Sequence, residues 1–285
     1  MSNNRNILHK IEQGTDPQTV HCTTYQMRNP YQQFYDACAT ELDAHCYFQH
    51  AAAADLCPKG GAVLDVCCGR GLLIPMLRYR AKPQPSLYAG VDIHPANAKW
   101  SRGADPRREA QQRPDGWGFP VVFAESDVAT MAEPVRRAVL NVVPDFSGFD
   151  LVVYTSAIEH MQPAAQQASL VQARKVSKAG AVMYLSCPVT HPDPSRTGYD
   201  TQYAAHVYEP TLDELRSWLA FSGWRIDRYV GLCSKAGTFR KMLVGDQLAY
   251  AERIYADQPR EQALCTIGYI FPQVAEEMAI YCTAV

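Results

Sequence analysis

The strongest constraint on the fold is an alternation of short apolar segments with segments of helical pattern. Apolar segments of strand length occupy residues 61–66, 87–92, 120–125, 149–154, 181–187, 224–232 and 277–285. Helix-compatible sequence separates them, most clearly over residues 163–178, 210–222 and 246–256. Strands that alternate with helices are typical of a mostly parallel sheet with right-handed crossovers.

The pattern predicts an α/β protein with a doubly wound, seven-stranded, mostly parallel sheet. A chain of 285 residues can bury the core of one large domain of this kind. We assign residues 59–285 to this domain. Residues 1–58 are polar as far as Pro30 and largely helical in pattern beyond it, so we interpret them as an N-terminal arm with helices that covers a substrate site.

Charge and composition narrow the range of partners. The formal net charge of −2 offers no basic field for a phosphate backbone, so we expect no nucleic-acid partner. Acidic residues interrupt the arginine-rich stretch 102–113, which favours a solvated loop there. The ten cysteines are scattered without a Cys-x-x-Cys pair, and no segment is apolar enough to span a bilayer. We therefore expect a cytoplasmic protein with no membrane partner.

Glycines and carboxylates follow the predicted strands at their carboxyl ends, where open parallel sheets bind ligands. Gly69 and Gly71 follow the first strand, and their lack of a side chain lets a ligand approach the backbone. Asp65 lies at the end of the same strand. Asp92 ends the second strand at about the interval after Gly71 at which an acid binds a ribose hydroxyl. The pattern predicts a ligand that contains a ribose.

The third and fourth strands complete the predicted pocket. Asp127 can accept a hydrogen bond from an adenine amino group, Val128 can face the ring, and Thr155 lies where the fourth strand closes the pocket. A dinucleotide site would require a third glycine in the loop, but Ile74 occupies that position. Pyrophosphate binding is therefore disfavoured.

These segments, in this order, resemble the class I S-adenosylmethionine-dependent methyltransferases, especially their small-molecule branch. Residues 63–71 are similar to the family's glycine motif, Asp92 to its ribose acid and residues 126–128 to its adenine segment. Residues 149–160 and 206–224 are similar to two later motifs. The resemblance implies S-adenosylmethionine as the cofactor, with Ile93 beside Asp92 among the residues that bind it.

Two features depart from the family's pattern. Cys67 occupies a position that is usually glycine, and because cysteine is small we expect a slight shift of the methionine moiety with binding retained. The family's last two strands usually form an antiparallel hairpin, so residues 231–273 are interpreted as an insertion before the last strand. A dimer contact and a substrate lid are both open roles for this insertion.

His160, Glu159 and His206 are the catalytic candidates. Glu159 and His160 follow the fourth strand, where a methyl acceptor would lie, and histidine is the natural base near neutral pH. The alternative is that this pair only begins a helix and that His206 only binds loop backbone. A metal site formed by His191, Asp193 and His206 lacks tight ligand spacing, and alignment of an activated methyl group needs no metal, so none is predicted.

The acceptor site is the least determined part of the sequence. Tyr31, Tyr199 and Tyr203 flank irregular segments near the expected pocket mouth, which favours them as wall residues. The first hypothesis is methyl transfer to an oxygen or nitrogen atom of a small metabolite in a biosynthetic pathway. Methylation of a nucleic acid or protein, and a regulatory subunit that binds cofactor without turnover, stay open, as does a homodimer.

Overall fold

The strand order of the central sheet sets the position of every candidate residue. The computed structural model describes residues 44–69, 71–93, 117–189, 197–201 and 204–285. The strands are β1 (Ala62–Val66), β2 (Leu87–Asp92), β3 (Val121–Glu125), β4 (Phe149–Thr155), β5 (Ser177–Pro188), β6 (Trp224–Ser234) and β7 (Ala275–Ala284). Their order across the sheet is β3-β2-β1-β4-β5-β7-β6.

Strands β1 to β5 are parallel, and β7 pairs antiparallel with both β5 and β6. The chain runs outward from β1 through β2 to β3 and then returns to place β4 on the other side of β1. The carboxyl ends of β1 and β4 therefore meet at the switch point, where ligands bind in such sheets. The predicted α/β fold class is confirmed.

Helices cover both faces of the sheet in the described part of the chain. They are α1 (Ala44–Asp55), α2 (Leu73–Arg80), α3 (Ala132–Leu140), α4 (Pro163–Lys175), α5 (Leu212–Phe221), α6 (Ala236–Met242), α7 (Gly245–Asp257) and α8 (Arg260–Ile270). Side chains of α1 and α2 pack on one face, and those of α3, α4 and α5 on the other. Strand β1 is buried along its whole length because helices cover it on both sides.

Local sequence explains where several helices begin and end. Thr211 and Glu214 form a capping box at the start of α5, in which each side chain binds the backbone N–H of the other residue. The helix predicted over residues 163–178 ends at Lys175, because Ser177 already pairs with Phe149 of β4. Strand β5 therefore begins earlier than predicted.

Helices α6, α7 and α8 occupy the segment interpreted as an insertion. Strand β6 continues to Ser234, so the helical part begins later than residue 231. The three helices share an apolar cluster that includes Phe239, Ile254 and Ile267. The role of this segment stays a prediction, and the predicted arm up to residue 43 lies outside the described residues. No helix in the described part of the chain is long and apolar enough to cross a membrane.

Helix α8 packs directly against the backbone of β6 through two glycines. A Cβ atom added to Gly231 would lie 2.1 Å from the carbonyl oxygen of Gly268. A Cβ atom added to Gly268 would lie 2.7 Å from the carbonyl carbon of Cys233. Neither backbone can yield cheaply, so this contact requires glycine on both sides.

We expect Gly268→Ala to lower the free energy of unfolding by about 1–2 kcal/mol, because overpacking outweighs the better helix propensity of alanine. Gly237→Ala in α6 is the matched control, since no atom lies within 4 Å of its added Cβ. The free energy of unfolding of Gly237→Ala should rise by up to about 1 kcal/mol, because alanine has the better helix propensity. Urea unfolding of both variants measures the difference, and equal behaviour would contradict the close contact.

Candidate active site

The loop after β1 folds back between β1 and β2 through left-handed backbone. Cys67, Gly69 and Gly71 have φ values of 57°, 50° and 75°. The Cys68 N–H donates to the carbonyl of Val91 at 3.0 Å, which ties the loop to β2. A left-handed φ explains why glycine is favoured at position 67, and a cysteine there costs about 1–2 kcal/mol of backbone strain. Gly69 and Gly71 leave the backbone uncovered by a side chain at two positions near the switch point.

Asp92 lies against this loop. The backbone N–H of Gly69 donates to Oδ2 of Asp92 at 2.9 Å. Ile93, the next residue, is 55% exposed, which is unusual for an isoleucine. The structure therefore brings together the glycine loop, a carboxylate and an apolar surface, as a ribose with an attached ring would require.

Asp65 lies beneath the loop. Its side chain is buried, and its Oδ2 accepts a hydrogen bond of 2.7 Å from the hydroxyl of Tyr88. Burial raises the pKa of Asp65 to about 7, and the nearby charge of Asp92 adds to the increase. Asp65 thus links β1 to β2 and supports the loop from below.

The segment after β3 combines a helix cap with a core residue. Oδ1 of Asp127 accepts a hydrogen bond of 2.8 Å from the N–H of Ala129 and caps the 3-10 turn Val128–Thr130. The Val128 side chain packs in the core and is only 5% exposed, so its backbone alone is left to line a ligand site. An adenine contact by Asp127 stays a prediction.

A buried polar network connects α1 to the ends of β4 and β5. Ser186 donates from Oγ to Oε1 of Gln49 at 2.5 Å, and Ser156 donates to Glu277 at 2.8 Å. Ser156 follows β4 with a left-handed φ of 43°. Thr155 lies beside this network, with Oγ1 3.5 Å from Nε2 of His50. Sequence analysis did not select Gln49, Ser156, Ser186 or Glu277; a glutamine within an alanine-rich helix was the available signal.

Glu159, His160 and His206 form one group, here called the Glu-His cluster. One ligand atom from each side chain lies within 4.8 Å of the others. Glu159 and His160 belong to the 3-10 turn Ile158–His160 that follows β4. The N–H groups of Val207 and Tyr208 donate to the carbonyl of Glu159 at 2.8 and 3.1 Å, which holds the His206 segment against the turn.

Both imidazoles of the cluster are oriented through Nδ1. His206 Nδ1 is 2.6 Å from Oε1 of buried Glu209, and His160 Nδ1 is 3.0 Å from the carbonyl oxygen of Ala205. The two rings meet edge to face with centroids 5.0 Å apart. Glu209 is a further residue that sequence analysis missed, although a carboxylate three positions after a histidine was a usable signal.

Glu159 is the buried member of the cluster. Its side chain is 1% exposed, and its Oε2 has no hydrogen-bond partner among the described residues. Burial raises the pKa of Glu159 well above its usual range, and the charges of Glu277 and Glu209 raise it further. The cluster therefore extends from a buried carboxylate to the exposed imidazole of His160.

Gln166 of α4 fixes the two segments of the cluster in place. Its side chain is fully buried, and Nε2 donates to the carbonyls of Met161 and Tyr208, both at 2.9 Å. These carbonyls follow His160 and His206 in the chain. One side chain thus sets the distance between the two histidines.

The loop after β1 and the Glu-His cluster border the same region. Val66 pairs with Tyr154 in the sheet, so Cys67 and Glu159 leave neighbouring strands. Burial raises the pKa of the Cys67 thiol above its usual range, and the charges of Asp92 and Glu159 are both close enough to contribute. Cys67 therefore lies within electrostatic range of both the predicted ribose acid and Glu159.

The predicted acceptor wall is only partly described. Tyr31, Tyr203, His191 and Asp193 lie outside the described residues. Tyr199 is 61% exposed and packs edge-on against Tyr208, with ring centroids 4.8 Å apart. Its role as a wall residue stays a prediction.

Comparison with known proteins identifies the family. The sequence profile of a methyltransferase domain matches residues 41–229, which is more than half of the chain. The chain belongs to the class I S-adenosylmethionine-dependent methyltransferases. The predicted family and cofactor are confirmed, and the chain is an enzyme of this class. No curated protein matches the sequence.

Solved structures share this methyltransferase fold. Geranyl diphosphate C-methyltransferase from Streptomyces coelicolor A3(2), solved with Mg²⁺, geranyl diphosphate and S-adenosylhomocysteine, is 14% identical with a TM-score of 0.53, over 84% of this chain and 78% of that one. The 4+2 cyclase SpnF is 15% identical with a TM-score of 0.51, over 82% and 79%. The 1,6-didemethyltoxoflavin-N1-methyltransferase of Burkholderia thailandensis is 16% identical with a TM-score of 0.49, over 85% and 79%. At these identities the likeness to the first two structures shows the fold alone.

The raised pKa of Asp65 predicts a pH-dependent stability. The folded chain keeps the proton up to about pH 7, whereas the unfolded chain releases it near the ordinary value of 3.8. This contribution to stability is therefore complete below about pH 4 and is lost as the pH rises through about 7. Asp65→Asn keeps an oxygen for Tyr88 and removes the titration. We expect the stability gain of the variant over the native chain to be about 2–3 kcal/mol larger at pH 8 than at pH 5, because only the folded native chain holds the proton between these pH values.

Urea unfolding at pH 5 and pH 8 measures this difference. Asp145→Asn, at an exposed position in the loop before β4, is the matched control and should change stability at neither pH. A gain of equal size at both pH values would contradict the role of Asp65.

Proposed function

We propose that this methyltransferase transfers a methyl group to an oxygen or nitrogen atom of a small-molecule metabolite. The observation that carries the proposal is the Glu-His cluster, which follows β4, the strand that pairs with β1 at the switch point. S-adenosylmethionine supplies an activated methyl group when bound, so the chain has to align the acceptor and accept its proton. A pair of oriented imidazoles beside a buried carboxylate suits an acceptor that carries an O–H or N–H proton.

The described residues fit the cofactor. Asp92 presents a carboxylate beside left-handed loop backbone, and Ile93 offers an exposed apolar surface next to it. We assign the ribose to Asp92 and the adenine to the space between Ile93 and Asp127. Asp65 supports the loop through its bond to Tyr88 without being exposed to a ligand.

The acceptor side is assigned to the segments that hold the cluster. Glu209 orients His206, and the Ala205 carbonyl orients His160, in both cases through Nδ1. The Nε2 atom of each imidazole therefore points away from the group that orients the ring. The net charge of −2 favours a small acceptor over a nucleic acid. A homodimer is proposed from the sequence alone.

Calorimetry with S-adenosylmethionine and S-adenosylhomocysteine tests the cofactor site. We expect micromolar binding, which Asp92→Ala should weaken at least tenfold, about 1.4 kcal/mol, because the ribose hydroxyls lose a charged acceptor. Asp145→Ala, an exposed position in the loop before β4, should bind like the native chain. Binding of NAD in preference to both ligands, or unchanged binding by Asp92→Ala, would contradict the assignment of the cofactor site.

Incubation of the enzyme with methyl-labelled S-adenosylmethionine and a cell extract tests the acceptor. We expect the label in the small-molecule fraction, since the chain has no basic surplus to hold a polyanion. Heat-inactivated protein is the control. Label in the nucleic-acid or protein fraction would replace the proposal with macromolecule methylation. Cofactor binding without any labelled product would indicate a regulatory subunit.

A further inference from the structure

The Glu-His cluster combines the side chains that hold divalent transition metals in proteins. Two imidazoles and one carboxylate offer ligand atoms within 4.8 Å of one another. In tetrahedral coordination with metal–ligand distances of about 2.1 Å, the ligand atoms lie roughly 3.4 Å apart. Side-chain rotations that move the three atoms by about an ångström bring them onto one ion. Two histidines with one glutamate also form a recurrent ligand set for catalytic zinc.

The surroundings of the two histidines match those of metal ligands. A carbonyl oxygen can only accept, so His160 Nδ1 carries its proton toward Ala205 and the neutral ring has its lone pair at Nε2. Glu209, when ionised, accepts from Nδ1 of His206 in the same way. Histidines that bind metals nearly always donate their second N–H to a carboxylate or a backbone carbonyl, which fixes the ring and raises its basicity.

The carboxylate of Glu159 supplies the independent observation. Its Oε2 is buried with no hydrogen-bond partner among the described residues, and an orphaned buried oxygen is costly. A bound cation would satisfy that oxygen and offset the repulsion among Glu159, Glu209 and Glu277. The exposed side of the cluster, at His160, leaves room for a further ligand.

We propose that Glu159, His160 and His206 bind one divalent first-row transition-metal ion of the Zn²⁺ type, with Glu209 as a positioning residue. Imidazole nitrogens favour such ions over Mg²⁺ and Ca²⁺, which prefer all-oxygen sites. This inference departs from the sequence-based expectation of no metal. The proposed ligands also differ from the three residues considered as a metal site from the sequence. Glu159 and His160 take the places of His191 and Asp193, and His206 is common to both sets.

If the proposed function holds, the ion defines the acceptor class. Three protein ligands leave at least one coordination position open, and the cluster follows β4, the strand that pairs with β1 beside the cofactor loop. A bound ion of the Zn²⁺ type would lower the pKa of a coordinated hydroxyl and so favour its deprotonation, as it does for coordinated water. The acceptor inferred from this site is therefore an oxygen nucleophile that can reach both the ion and the cofactor loop.

Metal binding itself is the test, and it needs no methyl donor. Untagged full-length protein is stripped with a chelator and titrated with Zn²⁺, Co²⁺ and Mg²⁺ by calorimetry, with metal content measured after dialysis. We expect one Zn²⁺ or Co²⁺ per chain, visible Co²⁺ absorption bands and no binding of Mg²⁺. Glu159→Gln and His160→Ala should weaken binding at least 100-fold, and Glu209→Gln about 10- to 100-fold.

Two control variants test whether the metal is held by the Glu-His cluster and by no neighbouring group. His50→Ala removes an imidazole outside the cluster, and Asp92→Ala removes the proposed ribose acid, so both should bind Zn²⁺ like the native chain. Because His160 is exposed, His160→Ala is the variant least able to disturb folding, and circular dichroism checks this. Absence of Zn²⁺ and Co²⁺ binding by the native chain, or native binding by His160→Ala, overturns the site. Zn²⁺ binding by the native chain without any binding of S-adenosylmethionine would instead count against the proposed function.

Discussion

The pairing of β1 with β4 is the constraint on which the site depends. Four consecutive residue pairs, from Val63 with Leu151 to Val66 with Tyr154, fix where both strands end. Each strand is followed within two residues by a left-handed, non-glycine residue, Cys67 and Ser156. These two turns direct the loop after β1 and the 3-10 turn of Glu159 toward the same region. A change of register by one residue would separate them and turn every side chain in β1 to the opposite face of the sheet, against different helices.

The sequence predicted the sheet well because the signal for each strand is local. Strand β2 has the predicted bounds, and the carboxyl ends of β1 to β4 lie where the glycines and carboxylates indicated. The later boundaries were less accurate, since β5 begins at Ser177 through pairing with Phe149, which local pattern does not show. The burial of the Val128 side chain has a similar origin, since helix packing on that face of the sheet is not visible in the local pattern.

Two residues that support the site could not be found by motif. Gln49 and Gln166 act across long separations in the chain or through backbone carbonyls that carry no sequence signature. Buried polar groups of this kind stabilise a structure only when their partners are in place. Asp65 and Glu159 follow the same rule, because burial shifts the pKa of each carboxyl upward and only the folded sheet creates that burial. The free-energy cost of desolvating these polar groups is thus concentrated around the switch point.

The bond between Gln49 and Ser186 has a consequence for where the catalytic domain begins. The composition of the chain suggests a boundary near residue 59, just before β1, and a shortened protein would naturally be cut there. Such a cut would remove α1 and with it the acceptor for the buried hydroxyl of Ser186. The family profile, which begins at residue 41, already includes this helix. The region that this chain shares with the methyltransferase family therefore includes α1, and a shortened protein that keeps its buried hydroxyl paired has to begin before this helix.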